Sequence, residues 1–230
     1  MTIRCCVFDA YGTLFDVSAA ARKAAEEPGN ECLAESWQEI AGHWRIKQLQ
    51  YSWLRAVASA HADFWQVTCD ALDWALEAVG LDGDPRLRSR LLDLYRELEA
   101  YPEVPETLAE LRHRGLQSAI LSNGSPAMLA AACRAAGIDQ LLDDVLSVEA
   151  VGVYKPHHSV YRLVTDRFGC APGEVLFVSS NGWDASAASG AGFVSVWVNR
   201  AREPLERLPW IPAHRLFDLR GIPELAEKAG

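Results

Sequence analysis

Four short stretches of this chain carry residue types that do chemistry together. Asp9 ends the apolar run Ile3–Phe8, with Gly12 and Thr13 just after it. Ser122 and Asn123 follow the apolar run Ser118–Leu121, and Lys155 sits in Val153-Tyr154-Lys155-Pro156. Ser179, Ser180 and Asn181 follow Val175–Val178, with Trp183 and Asp184 beyond them. A carboxylate where a buried strand turns is a nucleophile, a metal ligand or a cap on the following turn. Each stretch alone reads as an ordinary turn or a solvated lysine, but four in this order at four strand ends favour chemistry over caps. A covered carboxylate nucleophile needs a cation and hydrogen-bond donors to stay ionised. Lys155 is the obvious cation, and Thr13 with the turn amides the donors.

The elements that must position these groups follow from the pattern. Short apolar runs closed by Gly or polar turns read as buried strands, here at Ile3–Phe8, Ser118–Leu121, Val145–Ser147, Val175–Val178 and Val194–Val198, with Arg215–Phe217 as a last edge strand. Helices alternate with them: Pro105 to Gly115, Ser125-Pro126 to Gly137, Ser159 to Phe168, and the tail after Gly221. That rhythm implies an α/β fold with a parallel sheet, whose carboxyl ends all face one crevice. Between Asp16 and Ala100 no strand is expected. Ala34–Ser59 and Phe64–Val79 carry apolar residues at helical spacing, and Pro85 opens a third helix to Leu98. The expected organisation is therefore 1–15 with 101–230 as the α/β core and 16–100 as an inserted all-helical cap, which would close over Asp9 and exclude water.

Composition sets limits. The chain has 230 residues, half of them hydrophobic, enough for one α/β core and a small insert. A formal charge of −9 argues against nucleic acid or an anionic membrane surface as partner. No segment has the roughly 20 apolar residues of a membrane span. Six cysteines without a Cys-x-x-Cys pair read as reduced packing residues, and Met1–Arg4 has no signal pattern, so a cytoplasmic setting is expected. Trp37, Trp44, Trp53 and Leu54 exceed what a thin helical layer must bury, which raises the expectation of a homodimer through those helices.

Asp9-Ala10-Tyr11-Gly12-Thr13 resembles the first motif of the haloacid dehalogenase superfamily, and Phe8 through Val17 resembles more narrowly its L-2-haloacid dehalogenase branch. Ser122-Asn123, Lys155-Pro156 and the Asp184 loop match the later motifs in order, so the resemblance spans nearly the whole chain. It implies a Rossmann-like core. It also implies hydrolysis of short L-2-haloalkanoic acids to D-2-hydroxy acids through an ester on Asp9, with no cofactor and no metal. Phosphatases of this superfamily place a second aspartate where Tyr11 stands, to protonate the leaving alcohol. Halide is a weak base and leaves without a proton. Metal-dependent relatives also carry a further carboxylate in the last loop, where this chain has Ser179, Ser180 and Asn181. Mg²⁺ favours carboxylate oxygens, so both departures point away from a phosphatase.

By the same resemblance, Asp184 and Lys155, with Ser179 and Asn181, place the hydrolytic water. Ser122, Asn123 and amides at the helix start beyond Ser125 hold the substrate carboxylate. Arg45, helped by Asn181, accepts the leaving halide. Tyr11, Leu49, Phe64 and Trp183 shield the reacting carbon, and Tyr161 is a further family position at the substrate. Three rivals remain at this level: a magnesium-dependent phosphatase of the same fold, a non-catalytic binder of small acids, and a ring-opening hydrolase using the same nucleophile.

Overall fold

The computed structural model describes residues 2–228. Met1 and the last two residues, the extreme ends of the expected core segments, lie outside them. Strand β1 (Cys5–Phe8) is wholly buried. Successive strand residues point to opposite faces, so burial of all four means that both faces of the sheet are covered. Beyond it the chain turns through Gly12, whose φ of 88° suits a residue without a side chain. It then runs through five helices: α1 (Ala19–Glu26), α2 (Glu31–Ala34), α3 (Trp37–Val57), α4 (Phe64–Ala78) and α5 (Pro85–Arg96). The chain leaves and returns side by side. Tyr101 N–H donates to Leu14 O and Asp16 N–H to Glu99 O, both at 2.9 Å.

From there strands and helices alternate: α6 (Val104–His113), β2 (Gln117–Ser122), α7 (Pro126–Ala135), β3 (Asp144–Ser147), α8 (His158–Phe168), β4 (Val175–Ser179), α9 (Gly182–Gly190), β5 (Val194–Val198), β6 (His214–Leu216) and α10 (Ile222–Lys228). All six strands are parallel, in the order β3-β2-β1-β4-β5-β6. The molecule is the α/β fold with a parallel sheet read from the sequence. β1 lies between β2 and β4, so Asp9, Ser122 and Ser179 end on the same edge of neighbouring strands.

Three expectations need correction. The insert has five helices, not three. α1 is alanine-rich, buries Ala19, Ala20, Ala21 and Ala24, and packs on α5; its apolar face has no large residue to mark a period. α9 escapes the pattern for a similar reason, being built, Trp183 and Asp184 apart, from Ala, Ser and Gly. Nor do the tryptophans of α3 form an exposed surplus. Trp44 is buried and donates its indole N–H to Thr68 O, and Trp53 meets the ring of Trp183 edge-on at 5.4 Å. The outward apolar residues of that helix are Ile46, Leu54 and Val57, 52%, 65% and 88% exposed.

Candidate active site

Asp9 sits one residue past β1, buried, with its N–H on Val178 O of the neighbouring strand. Three donors converge on its carboxylate. Lys155 Nζ reaches Oδ1 at 3.2 Å, while Thr13 Oγ1 and Asn181 Nδ2 reach Oδ2 at 2.9 and 2.8 Å. A carboxylate has about four lone-pair sites, so Oδ2 is filled and Oδ1 keeps one open. Thr13 is itself fixed, because its hydroxyl oxygen accepts the Ser180 N–H at 2.8 Å.

Lys155 is almost fully buried and bridges two carboxylates, with Asp184 Oδ2 at 2.9 Å on the other side. Asp184 is placed by the first turn of α9, and its second oxygen accepts the Tyr161 hydroxyl at 2.7 Å. Burial opposes the Lys155 charge, but Asp184 and Asp9 beside it hold its pKa above the usual lysine range. Burial pushes Asp184 up; Lys155 offsets part of that rise and the Asp9 charge adds to it. Burial and Asp184 lift the Tyr161 phenol well above its ordinary range, so it stays a donor.

Arg45 reaches down from α3. Its Nη2 donates to Asn181 Oδ1 at 2.9 Å and to Tyr11 O at 3.2 Å. The first of these bonds fixes which way the Asn181 amide points, turning its nitrogen to Asp9 and to Tyr11 O at 3.3 Å. With Asp9, Asp184, Lys155 and Arg45 the cluster has two charges of each sign. The donor set does not fit Mg²⁺. The oxygens a cation would share, Asp9 Oδ2 and Tyr11 O, are bridged by an amide N–H beside a guanidinium, and Asp184 is bonded to Lys155 and Tyr161.

The remaining residues divide. Ser122 is buried and accepts the Gly124 N–H at 3.1 Å, which leaves its own proton to donate. Asn123, expected at the substrate, has its oxygen on the Lys155 N–H at 2.9 Å, so that side chain holds the lysine loop. Tyr161, also expected at the substrate, has its hydroxyl committed to Asp184. Ser179 accepts the Asn181 N–H at 3.2 Å. Ser125 occupies the first-cap position of α7 without a side-chain bond to the helix. Tyr11 packs against Phe64 (6.1 Å between ring centres) and stacks on Tyr95 (5.7 Å). Leu49 is half-buried one turn beyond Arg45, and Trp53 a turn further meets Trp183. Arg200, just past β5, was missed. It donates to Thr13 O at 2.9 Å and pairs with Glu103 at 2.7 Å, so it braces the Thr13 turn. Nothing in the local sequence marks it, since its partners lie far away along the chain.

Comparison with known proteins gives consistent matches. The family described as haloacid dehalogenase-like hydrolases matches residues 3–192. The chain is 45% identical to (S)-2-haloacid dehalogenase 1 of Pseudomonas sp. (strain CBS-3), over 97% of this chain and 96% of that one. It is 44% identical to (S)-2-haloacid dehalogenase 4A of Burkholderia cepacia, over 89% and 87%. The structure of L-2-haloacid dehalogenase from Xanthobacter autotrophicus with chloropropionic acid covalently bound superimposes with a TM-score of 0.87 at 39% identity, covering 97% of this chain and 98% of that one.

Proposed function

The chain belongs to the haloacid dehalogenase-like hydrolases, and from that premise we propose that it hydrolyses short L-2-haloalkanoic acids to D-2-hydroxy acids through an ester on Asp9, without a metal. The observation that carries this reading is the asymmetric dressing of Asp9: one oxygen open beside Lys155, the other held by Thr13 and Asn181. Asp9 Oδ1 attacks the α-carbon opposite the halogen. The C–O bond forms as the C–halogen bond breaks, and the electron pair leaves with the halide. The negative charge passes from Asp9 to the halide, with Arg45 and Asn181 placed to receive it. Ser122 and the amides beyond Ser125 hold the substrate carboxylate, while Tyr11, Leu49, Phe64 and Trp183 keep the reacting carbon dry.

In the second step water attacks the Asp9 carbonyl carbon. Oδ2 now carries the developing negative charge, and Thr13 and Asn181 are its oxyanion donors. Asp184, whose proton affinity is raised by burial, takes the water proton while Lys155, Ser179 and Asn181 orient the attack. The ester C–O bond then breaks at the carbonyl carbon. Asp184 returns the proton to the departing alkoxide to give the 2-hydroxy acid, and Asp9 is left ionised. The α-carbon is displaced once, so its configuration inverts. Tyr11 in place of an acid suits halide and disfavours an alcohol leaving group. The wider expectations belong to the same proposal: residues 16–100 as a cap over a core of 1–15 and 101–230, a cytoplasmic enzyme, and a homodimer through the outer face of α3. Halide release from racemic 2-chloropropionate in EDTA, wild type beside Asp9→Asn, tests the reading. It requires release by wild type, consumption of one enantiomer and none by the variant. Cleavage of p-nitrophenyl phosphate only with magnesium would overturn it.

A further inference from the structure

The helical insert grips the Lys155 loop at a place the chemistry above does not use. Tyr154 is fully buried, and its hydroxyl donates to the Ala62 carbonyl in the turn between α3 and α4. Its ring packs on His61 (4.9 Å between ring centres) and Phe64 (5.9 Å). His61 Nε2 in turn meets Glu149 Oε2 at 3.0 Å, across from the insert, in the short turn Val148–Ala150 after β3. The other Glu149 oxygen is buried without a partner, so His61 is the group that serves this carboxylate. The next residue along is Lys155, whose N–H is fixed from the sheet side by Asn123. Lys155 is thus held between two layers, by Asn123 from the sheet and through Tyr154 from the insert.

We propose that Tyr154, His61 and Glu149 form a clasp through which the helical insert positions Lys155 against Asp9 and Asp184. They are positioning residues, and the inference rests on the dehalogenase reading for its effect on rate. Burial, with Glu149 adding to it, raises the Tyr154 phenol above its ordinary range and keeps it a donor to Ala62. Phenylalanine at 154 would keep the ring contacts and leave the Ala62 carbonyl unpaired. Loss of the clasp frees the Lys155 loop on one side only, so Nζ stays near its carboxylates with a broader spread of positions. The rate should therefore fall without loss of substrate affinity.

The test pairs Tyr154→Phe with the peripheral Glu149→Ala, which removes the acceptor for His61. For each, kcat and KM for 2-chloropropionate are measured beside exchange of the Lys155 amide proton by NMR. The expected result is kcat lower by about 10-fold, short of the 10²-fold that a full ångström of misplacement costs, with KM within about twofold. Lys155 amide exchange should be faster in both variants. His61→Gln, which retains a donor to Glu149, should keep more activity than His61→Ala. Unchanged kcat and unchanged Lys155 exchange in Glu149→Ala would overturn the clasp, as would an effect confined to KM. If Tyr154→Phe does not fold, Glu149→Ala decides alone. If wild type releases no halide, the dehalogenase reading fails, and the exchange measurement still judges the clasp.

Discussion

At Asp9 three donors serve two oxygens with different tasks. Lys155 holds one oxygen, the nucleophile of the proposed reaction, and Thr13 with Asn181 holds the other, where charge would develop. Removing an oxyanion donor costs about 10²–10³ in rate, and for Thr13 that loss belongs to the second step. Thr13→Val should accumulate the Asp9 ester, visible by mass spectrometry of protein quenched with substrate, whereas Asn181→Ala should slow ester formation as well. A Thr13→Val enzyme that turns over slowly with no adduct would contradict the assignment. Asp184 gives the pH dependence. In the proposed reaction it works as the ionised base, and burial raises its pKa, so kcat should fall as pH drops through a value above the ordinary aspartate range, near 4. A kcat profile flat down to that range would place the base elsewhere. Asp9, Lys155 and Asp184 were legible in sequence because each follows a strand or a proline-marked loop. The bonds that Asn123 and Tyr161 make to Lys155 and Asp184 are set by tertiary packing, which spacing along the chain does not reveal.

At the scale of elements, α3 is the piece that completes the site. Arg45, Leu49 and Trp53 recur every four residues and face the sheet, while Ile46, Leu54 and Val57 face out. The long apolar periods of α3, α4 and α5 were readable, and α1 and α9 were not, because alanine and serine bury well without contrasting with their neighbours. The turn from β2 into α7 is equally tight. A Cβ on Gly124 would lie 2.8 Å from the Tyr11 ring and 3.1 Å from Leu129. Gly124→Ala should push that ring toward the reacting carbon, lowering kcat and costing about 1–3 kcal/mol of stability, read by denaturant unfolding beside halide release. Asp84 offers the contrasting case. It caps α5 through the N–H groups of Arg86 and Leu87 at 2.9 and 3.1 Å. Asp84→Ala should cost about 0.5–2 kcal/mol with turnover intact, since α5 supplies no group to Asp9.

For the whole molecule, the alternation of strands and helices was enough to predict a parallel sheet. The strand order was not legible, because it depends on which pairings the crossovers permit. The outer face of α3 carries the proposal of self-association: Leu54→Glu with Val57→Glu should convert a dimer to a monomer by light scattering at micromolar concentration, whereas a monomeric wild type would end that proposal. The place of β1 in the sheet also bears on how the chain is made. Its partners are β2 and β4, with Cys5 opposite Gln117 on one side and Val175 on the other. At roughly 5–20 residues per second of synthesis, β1 leaves the ribosome about 6–20 s before its first neighbour exists. The helices of the insert pack on one another, α3 on α4 and α1 on α5, and those contacts can form in that interval. The nucleophile's strand is thus made well before either neighbour, β2 beginning at Gln117 and β4 at Val175. Until then its apolar run stands unpaired, and in a crowded cell that is the stretch a chaperone would have to cover.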